Sequence, residues 1–378
     1  MKNRLTILLF LLFVFGASAA SLLKPDTEIS ERENRVLDTM PALRLEAVLD
    51  GSFQEDYEAY VSDQFFLRDS WVDLSSGLSL ALGKRDVGGI YVGKDGYLVE
   101  KYTDADFDES LVAGNITALA ALANKLSAAY GAENVDLLLI PAKAAAMPQV
   151  LPDLASAYPE EETVEALRAA LDCPQQLLYL QDALLLHAGE ALYYRTDHHW
   201  TTLGAYYAYA AYAARKGFAV TPRDAFTIEV VAQDFYGTAY NKLSLPVAAD
   251  SVELWHSDDE SGITVDMNDG ARVSDSFYFR DQLAYSDKYR VFLRGNTAKI
   301  VVDTGADTGR TLLLFKDSYA NCFVPFLSGN FDRIILLDLR YLSEPIDTVL
   351  ESYGAQITDV LFLYNVEKFM QDETWRAL

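Results

Sequence analysis

The fold is decided by residues 311–321, which read TLLLFKDSYAN. An apolar run ends abruptly at Asp317 and Ser318, and an amphipathic segment follows. A short run of consecutive apolar residues predicts a strand that is buried on both faces, and the polar pair after it predicts a sharp turn into a helix. We therefore expect a strand over 311–315, a turn at Ser318 and a helix over 319–328.

Strands and helices alternate along the chain on either side of this stretch. The hydrophobic pattern predicts helices at 107–130, 160–171, 181–188, 202–216 and 346–353, and strands at 135–140, 177–180, 333–338 and 357–363. Residues 219–300 break the pattern with short alternating segments and acidic turns, which predicts a β-rich insertion. The repeated order predicts an α/β domain with a mostly parallel sheet and helices on both faces.

The N-terminal part of the chain has a different character. Residues 1–20 combine two basic residues, an apolar core and a small-residue end, which is the layout of a secretory signal peptide. The apolar stretch extends to Leu23, so an uncleaved membrane anchor is the alternative. Residues 21–85 predict a helical extension, with helical spacing from Pro25 onwards, and 86–378 the α/β domain. The mature protein is expected outside the cytoplasm, secreted or anchored to the outer face of the cytoplasmic membrane.

Composition narrows the class of protein. The chain has 378 residues, 51% of them hydrophobic, which is enough for a sizeable core. Its formal charge of −25 argues against nucleic acid and anionic membrane surfaces as partners. The two cysteines, Cys173 and Cys322, are expected to be free thiols, and a single bridge between them is the alternative.

The chemistry is expected to start in residues 193–207, which read YYRTDHHWTTLGAYY and hold two of the four histidines. Asp197 and His199 point the same way if this segment is extended, so the carboxylate can orient the imidazole as a general base. A base of this kind needs a nucleophile, and Ser318 is the best candidate. The alternative is that Ser318 only caps a helix. At a helix N-terminus its own N–H, with the amide of Asn321, can stabilise an oxyanion.

Other residues of the region have less specific roles. His198 is expected to face the opposite side from His199, in a hydrogen bond or on the substrate. Trp200 is expected to wall the site. Lys143 and Lys316, at two strand ends, either pair with carboxylates or meet a negative group of the substrate. A metal site built on the histidine pair is a further alternative, although the sequence supplies no additional ligand, and we expect no metal or cofactor.

These residues resemble a known family. The run TDHHWTTLGAYY followed by FKDSYAN is similar to the bacterial envelope proteins named for the Asp-His-His-Trp motif, the DHHW family, which are related to the SGNH-like O-acetyltransferases of alginate biosynthesis. The resemblance extends to SERENR at 30–35, GKDGYL at 93–98, FYGT at 235–238, DKY at 287–289 and DLRY at 338–341.

The resemblance implies an SGNH-hydrolase-like, flavodoxin-like sheet, with Asp197, His199 and Ser318 as a catalytic triad. It implies an extracytoplasmic transferase that moves an acyl group, such as acetyl, onto a cell-envelope or exported polysaccharide, often beside a membrane-bound O-acyltransferase. The chain departs from the alginate enzymes in its second histidine, His198. Three alternatives follow, namely a carbohydrate acetylesterase with the same triad, a non-catalytic glycan-binding or scaffold protein of an acyltransferase complex, and a metal-dependent hydrolase.

Overall fold

The structure is a computed structural model that describes residues 2–30, 35–243, 245–257, 260 and 262–377. The central residues of the SERENR motif, 31–34, lie outside the described residues. The chain forms two compact units, one of residues up to Gly88 with Tyr240–Pro246, the other of Gly89–Ala239 with Val247–Leu378. The domain boundaries expected from the sequence stay a prediction.

The first unit is largely helical. Its helices α1 to α4 are Lys2–Leu23, Leu45–Asp50, Ser52–Gln64 and Arg68–Ala81, and its strands β1 to β3 are Ile29–Ser30, Arg35–Val36 and Asp86–Val87. Strands β1 and β2 pair antiparallel. The prediction of helix from Pro25 onwards was wrong for residues 24–30 and 35–44, which contain no helix. Pro25 and Pro41 lack the N–H that helical hydrogen bonding requires.

The elements after Gly88 carry the strand and helix alternation. Helices α5 to α13 are Glu109–Tyr130, Lys143–Ala146, Glu161–Ala170, Gln181–Leu185, Thr202–Lys216, Thr238–Leu243, Ala320–Phe323, Ile346–Tyr353 and Val366–Gln371. Strands β4 to β15 are Ile90–Val92, Leu98–Glu100, Val135–Ile140, Leu177–Tyr179, Thr227–Phe235, Asp250–His256, Thr264–Met267, Arg272–Ser274, Lys299–Asp303, Thr311–Lys316, Arg333–Leu337 and Asp359–Asn365.

A large, mostly parallel sheet organises the second unit, as predicted. Its eight strands lie in the order β11-β10-β12-β14-β13-β15-β6-β7. Strands β14, β13, β15, β6 and β7 are parallel, and β12, β10 and β11 extend the sheet antiparallel. The sequence did not predict β12, nor that β10 and β11 of the β-rich region would join this sheet. Strands β8 and β9 of that region pair only with each other.

The central strands are buried on both faces, which explains their continuous apolar runs. In β13, Leu312 and Leu314 belong to one hydrophobic cluster, whereas Leu313 and Phe315 belong to the other. Helices α8 and α9 contribute to the first cluster and α5, α7, α12 and α13 to the second. Because the parallel strands share one direction, the loops after β6, β13 and β15 meet at one edge of the sheet.

Two described helices are long and apolar enough to cross a membrane. One is Arg4–Leu23, none of whose span is buried. The other is α5, whose residues Leu119 and Ala123 lie fully buried in the core. By length and composition, Arg4–Leu23 therefore fits a membrane or a secretion signal, whereas α5 is a core helix.

The predicted helix over 319–328 was wrong in length. The structure has α11 over Ala320–Phe323 only, followed by a 3-10 helix over Val324–Leu327. Pro325 lies in that second segment and cannot donate the N–H that would continue an α-helix. The turn at Ser318 is consequently followed by a single α-helical turn, too short for a strong helix dipole.

Candidate active site

Asp197 and His199 lie in a bent loop that leads into α9. An isolated bridge joins Tyr193 to Trp200, and the Tyr194 N–H donates to the carbonyl of His199 at 3.1 Å. The expectation of an extended segment here was therefore wrong. The two side chains meet because the loop folds back on itself and not because alternate residues share one side of a strand.

Asp250, the first residue of β9, holds the start of this loop in place. Its buried carboxylate accepts hydrogen bonds from the N–H groups of Arg195 and Thr196, each at 2.8 Å, and from the Thr196 hydroxyl at 2.6 Å. At the other end, the Thr201 hydroxyl accepts from Gly204 N–H at the start of α9, and Gly217 ends that helix in the left-handed conformation.

Asp197, His199 and Ser318 form one hydrogen-bonded line, which we call the triad. The Nδ1 of His199 lies 2.6 Å from Oδ2 of Asp197, and its Nε2 lies 2.8 Å from Oγ of Ser318. A carboxylate accepts only, so His199 carries its proton on Nδ1 and Nε2 accepts from the serine hydroxyl. Asp197 and His199 are 2% and 8% exposed, so the line is largely shielded from water. The structure thus joins residues that are 119 positions apart in the chain.

The second oxygen of Asp197 is held by the region between α9 and β12. The N–H and hydroxyl of Thr238 donate to Oδ1 at 2.9 and 3.0 Å. Lys143 donates from Nζ to the backbone carbonyl of Asp197 at 2.6 Å and to that of Leu98 at 2.8 Å. Burial acts to raise the pKa of Asp197, but the two histidines and these hydrogen bonds outweigh it and hold the pKa well below its usual value. Burial lowers the pKa of Lys143 to about 8.

Gly237 permits this approach. A Cβ atom added there would lie 2.1 Å from Cβ of Asp197 and 2.5 Å from its Cγ. No side chain can be accommodated at those distances without moving the carboxylate. The glycine is therefore required for the Thr238 hydrogen bonds to form.

The imidazole of His199 lies between two rings. Tyr289 stacks on it at 3.9 Å with an interplanar angle of 11°, and His198 lies on it at 3.9 Å and 35°. The hydroxyl of Tyr289 donates to the carbonyl of Ser318, 3.2 Å away, so one buried side chain contacts both the imidazole and the serine loop. These contacts restrict rotation of the imidazole.

The turn that carries Ser318 is held by the buried carboxylate of Asp317. Its Oδ1 accepts from Tyr319 N–H at 2.9 Å and its Oδ2 from Asn365 N–H at 2.7 Å. Burial raises the pKa of Asp317. The N–H of Ser318 itself has no acceptor within the part of the chain that the structure describes. A free N–H beside the hydroxyl is what an oxyanion requires.

His198 makes a different contact from His199. Its Nδ1 lies 2.8 Å from the Thr238 hydroxyl, and its side chain is 18% exposed. Burial, followed by the neighbouring His199, lowers the pKa of His198 to about 3. The imidazole is therefore neutral at physiological pH.

Three further residues predicted for the site are buried and form hydrogen bonds within the protein. Trp200 is fully buried and donates from Nε1 to the Tyr319 carbonyl at 3.0 Å. Asn321 accepts from Lys316 Nζ at 2.8 Å and donates to Asn296 at 3.2 Å. Burial lowers the pKa of Lys316, which is not exposed at all. The substrate contacts predicted for Asn321 and Lys316 stay predictions, and these partners give both residues a structural role.

The metal alternative has a geometric basis. Donor atoms of Asp197, His198 and His199 lie within 4.8 Å of one another, the only such group among the described residues. A cation there would have to displace the hydrogen bonds from His199 and Thr238 to Asp197. Two of the three donors, Asp197 and His199, are therefore already engaged in hydrogen bonds within the protein.

Cys173 and Cys322 are free thiols, and Cys322 is buried against Tyr289 with a hydroxyl to sulfur distance of 3.1 Å. Burial raises the pKa of Cys322 to about 12, so its thiol stays protonated. It is an inert neighbour of the site.

Sequence reasoning missed Thr238, Asp250 and Tyr289, which hold Asp197, its loop and His199. Their signal was present, since Gly237 and Thr238 lie in FYGT and Tyr289 in DKY. The resemblance drew attention to both motifs but assigned them no role.

The site can be compared with known proteins. The chain is 27% identical over 195 residues to the probable alginate O-acetylase AlgJ of Pseudomonas aeruginosa, a match that covers 50% of this chain and 47% of AlgJ. The chain thus spans about half the length of this relative. The structure of PatB1 of Bacillus cereus with a sulfonyl adduct is similar, with 19% identity, a TM-score of 0.59 and coverage of 75% of this chain and 98% of PatB1.

A match to a protein family lies over the site. Residues 168–337, which include the triad, match the family model described as DHHW protein. The crystal structure of a DHHW family protein from Eubacterium siraeum superimposes with a TM-score of 0.61 at 23% identity, covering 76% of this chain and 94% of that one. Residues 168–337, the part of the chain that holds the triad, are therefore similar to the DHHW proteins.

Proposed function

We propose that this protein is an extracytoplasmic serine O-acyltransferase that moves an acetyl or similar acyl group onto a hydroxyl of a polysaccharide. The observation that supports the proposal is the hydrogen-bonded triad, with 2.6 Å between Asp197 and His199 and 2.8 Å between His199 and Ser318. This is the arrangement by which a histidine activates a serine. The similarity to a probable alginate O-acetylase supports a polysaccharide as the acceptor.

In the proposed reaction, Ser318 Oγ attacks the carbonyl carbon of the acyl donor while His199 Nε2 takes its proton. Asp197 holds the Nδ1 proton and stabilises the imidazolium. The N–H of Ser318 stabilises the oxyanion, and His199 then protonates the leaving group, which leaves an acyl ester on Ser318. No cofactor takes part in this scheme.

Transfer follows by the reverse sequence. A sugar hydroxyl gives its proton to His199 and attacks the acyl carbon, and the bond from that carbon to Ser318 Oγ breaks as His199 returns the proton to the serine. Water at the same position would produce an esterase. The buried surroundings of His199, which is stacked on Tyr289 and in contact with the tilted ring of His198, favour the exclusion of bulk water.

The location and partners belong to the same proposal. The exposed apolar helix Arg4–Leu23 serves as a secretion signal or an anchor, which puts the site outside the cytoplasm. A membrane-bound O-acyltransferase would supply the acyl group there. The fold is proposed to be SGNH-like, with the triad at the carboxyl edge of the sheet.

An acceptor assay tests this function. The protein is incubated with p-nitrophenyl acetate and a soluble oligosaccharide, and both nitrophenolate release and acetylated sugar are measured. Acetylated sugar that is lost in Ser318→Ala but retained in Ser328→Ala, a serine whose hydroxyl makes no hydrogen bond with the described residues, supports the proposal. Acetate without acetylated sugar would indicate an esterase, and no Ser318-dependent release would favour the scaffold alternative.

A further inference from the structure

A small polar cavity lies beside the triad, and we call it the side cavity. Its ionisable and aromatic walls are Glu100, Lys143, His198, Tyr319, Glu367 and Lys368. The space available to the centre of a water-sized group is about 10 Å³, which is room for about one such group. Tyr319 directly follows Ser318, so the cavity adjoins the serine loop.

The tautomer of His198 leaves one ring nitrogen without a partner. Thr238 donates its single hydroxyl proton to the carboxylate of Asp197, so it can only accept from His198 Nδ1, 2.8 Å away. His198 therefore carries its proton on Nδ1, and Nε2 bears a free lone pair. Within the described residues Nε2 has no hydrogen-bonding partner, and the imidazole lines the side cavity.

A second group in the same cavity also lacks a partner. Glu367 is only 6% exposed, yet its carboxyl group makes no hydrogen bond or ion pair with any described residue. Burial and the charge of Glu160 raise the pKa of Glu367 well above its usual value, so the group can donate as well as accept. A buried polar group of this kind indicates that something else satisfies it.

Donors are available on the opposite side. Lys143 uses two of its ammonium protons on the carbonyls of Leu98 and Asp197. Lys368 uses two on Glu100, at 3.1 Å, and on the Tyr102 hydroxyl, at 2.9 Å. Each ammonium retains a third N–H. The cavity therefore suits a neutral group that donates one hydrogen bond and accepts two. A hydroxyl group has this capacity.

We infer that the side cavity binds a second hydroxyl of the acceptor, adjacent to the one that reacts, with His198 Nε2 as its hydrogen-bond acceptor. The inference rests on the proposed function. A polysaccharide carries hydroxyls on neighbouring carbons, so one can enter the cavity while the next gives its proton to His199 and attacks the acyl ester. His198 is thus a specificity-determining residue that selects vicinal diols over simple alcohols.

The test uses two acceptors of matched size. The full-length protein is acylated with p-nitrophenyl acetate in the presence of ethane-1,2-diol or propan-1-ol, in which a methyl group replaces the second hydroxyl. The ratio of the two acetyl esters is measured after acylation, so it does not depend on how fast the acyl enzyme forms. We expect the wild-type protein to prefer the diol, and His198→Phe to lower the ratio about fivefold through loss of one hydrogen bond.

Two variants control the result. His198→Gln retains an acceptor oxygen on a chain of similar reach and is expected to recover part of the preference. His187→Phe alters a histidine that stacks on Tyr207, away from the triad, and should leave the ratio unchanged. A diol preference that is the same in wild type and His198→Phe, or absent from both, would overturn the inference while the acyl enzyme still forms. Failure of the wild type to form an acyl enzyme would overturn the proposed function itself.

Discussion

The two ends of the parallel sheet bury ionisable side chains in different ways. At the amino ends of β6 and β15, Asp136 and Asp359 form ion pairs, both with Lys216 at 3.0 and 3.2 Å, and Asp359 also with Arg310. At the carboxyl ends, the triad is linked by directional hydrogen bonds, and the carboxyl group of Glu367 has no partner among the described residues.

This difference suggests that one end of the sheet serves the stability of the fold and the other end serves the reaction. In a cluster of buried ion pairs, the loss of one partner destabilises the fold, because it leaves an uncompensated buried charge. Its charged groups are already paired and are not available to bind a ligand. An edge with free acceptors and a hydrogen-bonded serine retains groups that a substrate can satisfy. The comparison therefore predicts that substitutions in or beside the triad change activity, and that those in the ion-paired cluster at the amino ends change stability.

The largest effect is expected at Asp197. Replacement by Asn supplies an amide where His199 needs a carboxylate, so the imidazole loses its preferred tautomer and the partner for its positive charge. We expect acylation by p-nitrophenyl acetate to fall on the order of 10³- to 10⁴-fold. Stopped-flow measurement of nitrophenolate release checks the rate. A variant that acylates within tenfold of wild type would contradict the assignment of the triad.

The opposite end is tested at Asp359. This carboxylate is 1% exposed, and its replacement by Asn leaves Arg310 without its carboxylate partner and removes one of the two carboxylates that pair with Lys216. We expect the free energy of unfolding to fall by about 3 kcal/mol, measured by urea denaturation. The acylation rate per folded molecule should remain close to that of wild type. If Asp359→Asn lowered the acylation rate but not the free energy of unfolding, the proposed difference between the two ends of the sheet would be contradicted.

A smaller effect on activity is expected at Gly237. A Cβ there would lie 2.1 Å from Asp197, so Gly237→Ala must displace the carboxylate. We expect acylation to fall about 10²-fold, the size of effect that a misplacement of about 1 Å produces. Gly329→Ala is the matched control, because its added Cβ would meet no atom within 4 Å. Equal rates for the two variants would contradict the account of Gly237.

A pH dependence of stability, with no direct effect on the triad, is expected from Glu160, which accepts from Ala142 N–H at the carboxyl end of β6. Burial raises the pKa of Glu160 from 4.5 to about 8. A raised pKa means that the folded state retains the proton to higher pH than the unfolded state, so the contribution of Glu160 to stability is fully present below pH 4.5 and is lost as pH rises through about 8. Glu160→Gln should remove this contribution. Identical pH profiles of thermal unfolding for the variant and wild type would contradict it.

The sequence predicted the parts of the structure that depend on local pattern. The apolar runs of β6, β13 and β14 bury both faces of a strand, so composition alone indicates them, and the turn after β13 locates Ser318. The triad could be proposed because Asp197 and His199 are close in sequence. The abrupt turn after the apolar run of β13 selected Ser318 as their partner, and the resemblance implies the same residue.

The rest depends on tertiary contacts that no local pattern encodes. Thr238 and Tyr289 come from the β-rich region, and they reach Asp197 and His199 through turns whose shape is set by packing. The loop of Asp197 was wrongly expected to be extended. Its bend depends on hydrogen bonds to Asp250, more than 50 residues later, which the local sequence does not reveal. The helix after Ser318 was predicted too long because its apolar spacing continues past Pro325.

The central claim is that Ser318 is acylated with the help of His199. It is tested most directly by peptide mass spectrometry of the full-length protein after brief incubation with p-nitrophenyl acetate. We predict an added acetyl group on the peptide that contains Ser318, absent from Ser318→Ala and strongly reduced in His199→Ala. An unmodified Ser318 peptide in a folded wild-type protein, or an adduct that persists in His199→Ala at the wild-type rate, would contradict the account.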